Sequence, residues 1–430
     1  MAIVNSTATL TPPTSGADAY NNDVRPGLGQ TYYDSTFGEH IKQLSDIGVQ
    51  EADETMYAHC LVNADGTMYI QRQADATDHT VRYIADGSIV RSAQPDGIAV
   101  DTIWHPTDPD KYLYLTGSTI LARSMASGTS STLYTTASPL TNGGPGSEGG
   151  NVGGTNNWID KTGRYVVVRY GGAAHVIDLQ EGVYTGTSLP NTFDAGYYCI
   201  TPDAKYVIRN DSTDTYAYPL DHDANTVGAA IIPMRGVASP SEHAIFMSTS
   251  DGKNWGIYQL DNVDDLHHYK IDISIDRTGW SAAAILADAT AILTLTSNEE
   301  IQHHVANGPI GAGQDWAFFA TEFFNGDAYN SAPSPWARYR QEILAVNVVT
   351  GTVRRLAHHR SRGITDARYW RMPRTSCAWD GSVVIWASNM NQNSSVGGLG
   401  YSDIYGIENP LGGGFKAAWA RSANPQGALV

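Results

Sequence analysis

Apolar residues in this chain come in short alternating runs, such as Met68-Tyr-Ile70, Tyr112-Leu-Tyr-Leu115, Tyr165-Val-Val-Val168, Tyr206-Val-Ile208 and Val383-Val-Ile-Trp386. Alternation combined with β-branched and aromatic residues predicts strands, and no long stretch carries the period of an amphipathic helix. Most runs follow one phrase, in which a turn containing Asp or Gly precedes the apolar residues. It begins at Asn63, Pro109, Asp160, Pro202, Pro240, Ala287 and Asp380. Successive copies are mostly about 40–50 residues apart, the spacing expected when four strands make one propeller blade.

The second half of each unit repeats as strand, turn, strand. Examples are Ile120 to Arg123 before Ser131 to Tyr134, Ala174 to Leu179, Gly256 to Asp261, and Ile343 to Val348 before Gly351 to Leu356. Asp, Gly, Ser and Thr stand where hairpins need them. The expected fold class is therefore all-β: a seven-bladed β-propeller, or eight-bladed if the long interval from Ala291 to Val383 holds two units. In the seven-bladed case Trp316 to Phe324 opens a strand of an enlarged blade. Gly38 to Asp46 has the pattern of an outer strand yet precedes the first complete unit, as expected if the N-terminal strand completes the last blade and closes the ring. Residues 1–30 then form an extended arm and residues 31–430 a single propeller domain. The arm is either a flexible tail or a carrier of a short strand, Thr7-Ala-Thr-Leu10, that pairs with a neighbouring subunit.

Composition agrees with a β-rich chain: 43 Gly, 24 Tyr and 10 Trp among 430 residues. The net charge of -17 and a pI near 5.0 argue against wrapping duplex nucleic acid, which needs a basic face extending over many contacts. Cys60, Cys199 and Cys377 make no CxxC pair, so neither a disulfide framework nor a zinc ribbon is suggested. No run is apolar for long enough to span a bilayer. The N-terminus has neither the basic start nor the apolar core of a secretory signal, and the expected location is extracellular or virion-associated.

Against this acidic background seven arginines fall between Arg354 and Arg374, with Asp366 as the only acid. Guanidinium groups gathered with His358, His359, Tyr369 and Trp370 suit a small anionic group, such as a carboxylate on a sugar. The competing interpretation divides Arg354 and Arg355 between opposite faces of a strand and pairs the others with structural acids. His59, just before an innermost strand, is placed to point at the axial channel. The pairs His267-His268 and His303-His304 read as loop or packing residues. Gly143 to Gly154 lacks the Lys-Ser/Thr ending of a phosphate loop.

Several phrases resemble the oligogalacturonate-lyase-like propellers and, more distantly, the ulvan-lyase propellers. They are Tyr33-Asp34-Ser-Thr-Phe37-Gly38 with Ile41 to Asp46, Asn63-Ala-Asp-Gly66-Thr, Trp104-His-Pro-Thr-Asp-Pro109, Leu356-Ala-His358-His359-Arg360-Ser361, and Pro373 to Gly381 with Ala387-Ser388-Asn389. The resemblance implies a polysaccharide lyase that cleaves acidic, uronate-containing glycans by β-elimination. That chemistry needs a base, an acid and a cation to stabilise the enolate. His358, His359 and Tyr369 are the acid and base candidates, and Arg360, Arg371, Arg374, Trp370 and His59 would bind substrate. The resemblance also implies a divalent metal such as manganese held by several histidines and a glutamine. Here only His358 or His359 matches such a set, and Trp379 stands where a compact cluster with Cys377 would want His, so no metal ligand is assigned. The alternative is a non-catalytic binding or structural propeller of an extracellular assembly or virion that self-associates through its arm.

Overall fold

The repeated phrase is a hydrogen-bonded turn that sends the chain from an innermost strand into the next strand of the same blade. The carbonyls of Asn63, Asp160, Thr201, Thr249 and Ala378 accept the N–H of Gly66, Gly163, Ala204, Gly252 and Gly381, at 2.8–3.1 Å. Side chains of the first residue extend the turn. Asn63 Oδ1 accepts from the N–H of Thr67 and Met68, Asp160 Oδ1 from those of Arg164 and Tyr165, and Thr201 Oγ1 from that of Tyr206. The fourth residue is left-handed each time, with φ of 74°, 78°, 55°, 80° and 71°. Glycine meets that demand without a Cβ penalty, and only Ala204 departs from it. Ala204→Gly is expected to gain about 0.5–1 kcal/mol by relieving this strain, read as a higher denaturant midpoint with unchanged slope.

The computed structural model describes residues 3–16, 19, 25–46, 53–54, 60–73, 79–94, 102–140, 158–190, 197–211, 214–236, 244–260, 264–294, 304–321, 336, 338–361, 373–390 and 402–411. They form seven sheets, almost wholly antiparallel, arranged as a seven-bladed β-propeller. Blade 1 contains Asp53–Glu54, Met68–Gln73, His79–Tyr83 and Ile89–Gln94; blade 2 contains Ile103–Trp104, Lys111–Thr116, Thr119–Ser124 and Ser130–Thr135. Blade 3 is built on Tyr165–Tyr170 and Ala173–Asp178, and blade 4 on Tyr197–Ile200, Tyr206–Asn210, Asp214–Asp221 and Ile231–Arg235. Blade 5 contains Ile245–Ser248, Asn254–Leu260, Asp264–Asp272 and Thr290–Thr294, with one short helix, Ala282–Asp288, before its last strand. Blade 6 contains His304–Asn307, Trp316–Ala320, Glu342–Asn347 and Val353–His358.

Blade 7 takes strands from both ends of the chain. Thr375–Cys377, Val383–Ser388 and Asp403–Glu408 are joined by Glu39–Gln43 and Thr31–Asp34, with Lys42 opposite Gly406 and Gln43 opposite Tyr405. The expected closure by the Gly38 to Asp46 segment is thus realised. Strands such as Glu342–Asn347 and Val383–Ser388 are buried on both faces because adjacent blades cover them, whereas outer Ser130–Thr135 is largely exposed. The core lies between blades. Near the axis Trp104 donates to the Leu61 carbonyl (2.8 Å) and Trp379 to that of Trp104 (3.1 Å), tying blades 1, 2 and 7 together. Where blade 6 passes blade 7, a Cβ on Gly313 would meet the Asp380 carbonyl at 2.6 Å, so only glycine allows the approach.

The arm departs from the sequence expectation. Thr7 to Leu10 forms no strand; Ile3–Val4 does, and its partner is this chain's own Val353–His358, with Ile3 opposite Arg355 and Val4 opposite Arg354. Asn5 clamps the end of the pair, its Oδ1 accepting from and its N–H donating to Val353, both at 2.8 Å. The arm thereby covers the exposed edge of blade 6.

Candidate functional site

The last strand of blade 6 divides its arginines between two faces. Arg354 is half-buried over the Trp316 ring and donates to the Pro410 carbonyl (3.4 Å). Arg355 is fully buried and grips Glu342, also fully buried, through two parallel bonds, Nε to Oε2 at 2.7 Å and Nη2 to Oε1. Its remaining Nη1 donates to the Ala8 carbonyl of the arm at 2.5 Å, while the guanidinium lies over Tyr339 and Phe37. A planar fork facing a carboxylate, with its third edge on a carbonyl, satisfies a buried charge that would otherwise be prohibitive.

His358 ends that strand. Its backbone N–H donates to Asp34 Oδ2 (3.3 Å), its ring Nε2 meets the Leu10 carbonyl (3.2 Å), and Phe37 and Trp336 pack edge-on. Burial first, and then the Arg360 charge, hold this imidazole well below its ordinary value, so it is neutral and Nε2–H is the donor. Burial also raises Asp34, against the lowering influence of Arg360. His359 turns toward the seam with blade 7. Nε2–H donates to the Thr321 carbonyl (2.7 Å), Nδ1 accepts from the Ser361 N–H (3.0 Å), and its carbonyl accepts from Ser388 Oγ (2.6 Å). Burial pushes it down to about 4. Arg360 adopts φ +56°, donates to the Ala19 carbonyl (3.2 Å) and lies over the Tyr32 ring.

These sequence-selected residues come together where blades 6 and 7 meet under the arm. General acid–base work needs a ring nitrogen facing substrate and a proton affinity near the working pH. His359 has both nitrogens engaged by backbone, and His358 is sealed beneath Leu10. Their geometry supports a latch between blades. Arg374 is also buried. Tyr369, Trp370, Arg371 and His59 lie outside the described residues, as does His303. His268 is packed against Phe319 between blades 5 and 6, and burial pushes it down to about 3.

The manganese implied by the sequence resemblance does not fit this cluster. His358 and His359 face different backbone partners, and among the described residues no group of three His, Cys, Asp or Glu is placed to hold a metal. Sequence reasoning passed over the acids that balance the cluster, Asp34 and Glu342. Each left a trace: Asp34 sits inside a phrase that carries the resemblance, and Glu342 is a lone acid entering the apolar run Ile343-Leu-Ala-Val346.

A ring of seven sheets closed by its own N-terminal strands, with inter-blade cores, defines a seven-bladed β-propeller with the fold of the oligogalacturonate lyases. Among solved structures, an oligogalacturonate lyase in complex with manganese superposes with a TM-score of 0.54 at 14% identity, over 91% of this chain and 97% of that one. The oligogalacturonate lyase of Vibrio parahaemolyticus gives 0.53 at 10% identity, over 88% and 96%. At such identity the likeness is one of fold. No protein-family model matches the chain, and no curated protein matches it in sequence. Among the described residues no helix is long and apolar enough to cross a membrane.

Proposed function

We propose that this propeller recognises acidic, uronate-containing oligosaccharides, and that His358 and His359 serve its architecture rather than β-elimination. The observation carrying the first half is the likeness to oligogalacturonate lyases over nearly the whole of both chains, since their named substrate is an acidic oligosaccharide. Support within the chain comes from the anchoring of the arginine-rich segment. Ser361 is held by His359 on one side, and Thr375 Oγ1 donates to the Phe318 carbonyl (3.0 Å) on the other. Between these anchors the sequence supplies Arg362, Arg368 and Arg371 with Tyr369 and Trp370. Guanidinium forks suit sugar carboxylates, and aromatic rings suit the apolar faces of sugars.

The second half rests on the burial of both imidazoles. The assembly alternative is weakened by the arm, whose strand is occupied by its own blade 6. Titration calorimetry with oligogalacturonate, alginate, ulvan and glycosaminoglycan fragments is the test, run beside an ultraviolet assay for unsaturated uronate, with and without Mn²⁺. Expected are saturable binding of at least one uronate, roughly tenfold weaker in Arg371→Ala (about 1.4 kcal/mol), and a flat absorbance trace. Absence of binding to every uronate would remove the glycan proposal. Release of unsaturated product that vanishes in a folded His359→Ala variant would restore that histidine to catalysis.

A further inference from the structure

The ring is closed twice. Its outer closure is the pairing of Glu39–Gln43 with Asp403–Glu408. Its inner closure lies near the axis, where the segment entering blade 1 runs beside the innermost strand of blade 7. Val62 and Ala378 form a parallel bridge, and the Leu61 N–H donates to Ser376 Oγ at 3.0 Å. Each side of this short contact carries a cysteine, Cys60 and Cys377, which are 1% and 0% exposed and not in a disulfide. The two thiols are neighbours: after burial, the hydrogen bond with Cys60 is the largest influence raising Cys377. A disulfide needs Cα atoms roughly 4.4–6.8 Å apart, and paired strand positions lie about 4.8 Å apart. The parallel Val62–Ala378 register places Cys60 opposite Ser376, one position out of step with Cys377, and an offset of one residue of roughly 3.3 Å rise across that spacing leaves the two Cα atoms on the order of 6 Å apart, inside the disulfide range. The third cysteine, Cys199, is buried separately in the innermost strand of blade 4.

We propose that Cys60 and Cys377 are a disulfide-forming pair that staples the first blade to the last. The oxidant is a small-molecule disulfide such as oxidised glutathione. One cysteine thiolate attacks it, giving a mixed disulfide and releasing one glutathione thiol. The second cysteine then attacks the protein sulfur of that mixed disulfide, releasing the second thiol. Two protons and two electrons pass to the oxidant, and one S–S bond is exchanged for another. In the closed ring both sulfurs are covered and burial disfavours the Cys377 thiolate, so the reduced native protein reacts slowly. The bond forms while blades 7 and 1 are parted, either during folding or in transient opening of the seam. Because the crosslink encloses almost the whole ring, it constrains the unfolded chain strongly.

The test is to refold the full chain in reduced and in oxidised glutathione, alkylate under denaturing conditions, and map the peptides by mass spectrometry. Expected from oxidised refolding are one alkylated cysteine, Cys199, a peptide linking Cys60 to Cys377, and a higher Tm than the reduced form. Cys60→Ala and Cys377→Ala should each remove the link and the Tm difference, and Cys199→Ala should keep both. Three alkylated cysteines under every condition, or a link through Cys199, would overturn the proposal. If an alanine variant fails to fold, the wild-type peptide map still decides.

Discussion

Glu342→Ala is expected to destabilise the fold by about 3–5 kcal/mol, the usual loss when one partner of a buried ion pair is removed. The carboxylate accepts two bonds from Arg355, and neither side chain touches water, so its loss strands a guanidinium between blade 6 and the arm. Urea denaturation measures the effect. Replacing both partners by apolar residues, Glu342→Leu with Arg355→Met, should recover most of it, because no uncompensated charge remains buried. The double variant also frees the Ala8 carbonyl. Cleavage within residues 3–19 by a dilute protease should therefore accelerate even as global stability recovers. Equal losses in the single and double variants would show that the cost arises from packing rather than from charge.

Acid is expected to weaken the ring at its seams. His79 and His359 are held down at about 4 and His268 at about 3, while His358 lies well below its ordinary value, each with burial as the first cause. The folded state binds fewer protons than the unfolded chain at these sites. Their contribution is therefore complete above roughly pH 6.5 and is lost as pH falls toward the folded values, at about 1.4 kcal/mol per pH unit for each group. Glu408, raised to about 7, together with Asp34 and Glu39, also raised, acts in the opposite sense and favours the fold as pH drops. The net slope is accordingly shallower than the histidines alone would give.

A single histidine can be isolated from this balance. His79 sits between blades 1 and 2, edge-on to Tyr112 at 5.3 Å, with the nearby Arg123 charge as the second influence lowering it. His79→Phe keeps the shape and removes the titration. Its stability relative to wild type should rise as pH falls from 7, with the advantage reaching about 3 kcal/mol near pH 4. Parallel stability curves for the two proteins would refute the assignment of acid lability to this residue.

The fold was legible in the sequence because its turn is chemically expensive to encode in any other way. Asn63, Asp160 and Thr201 each supply a carbonyl and a side-chain oxygen to the same bend, so the phrase survives although the strands around it diverge. Two of the seven phrases mark other places. Ile245–Ser248, after the phrase at Pro240, is the innermost strand of blade 5, and Thr290–Thr294, after the phrase at Ala287, is its outermost. The true turn of that blade, Thr249 to Lys253, opens on Thr as the Thr201 copy does, and is not among the seven phrases. The site was less legible. A one-dimensional run of Arg and His does not reveal that Asp34, from the far end of the chain, and the arm carbonyls of Ala8, Leu10 and Ala19 meet it. The same limitation separated Cys60 from Cys377, which only ring closure makes neighbours.

Assembly of blade 7 from both ends of the chain also bears on biosynthesis. During translation, Thr31–Asp34 and Glu39–Gln43 leave the ribosome long before Asp403–Glu408, the strand they pair with. For most of that interval the hairpin presents an open edge to solvent or to a nascent neighbour on the same polysome. A premature stop upstream of Asp403 would leave that edge permanently unsatisfied, turning a truncation of the last blade into a source of aggregation rather than merely a smaller protein.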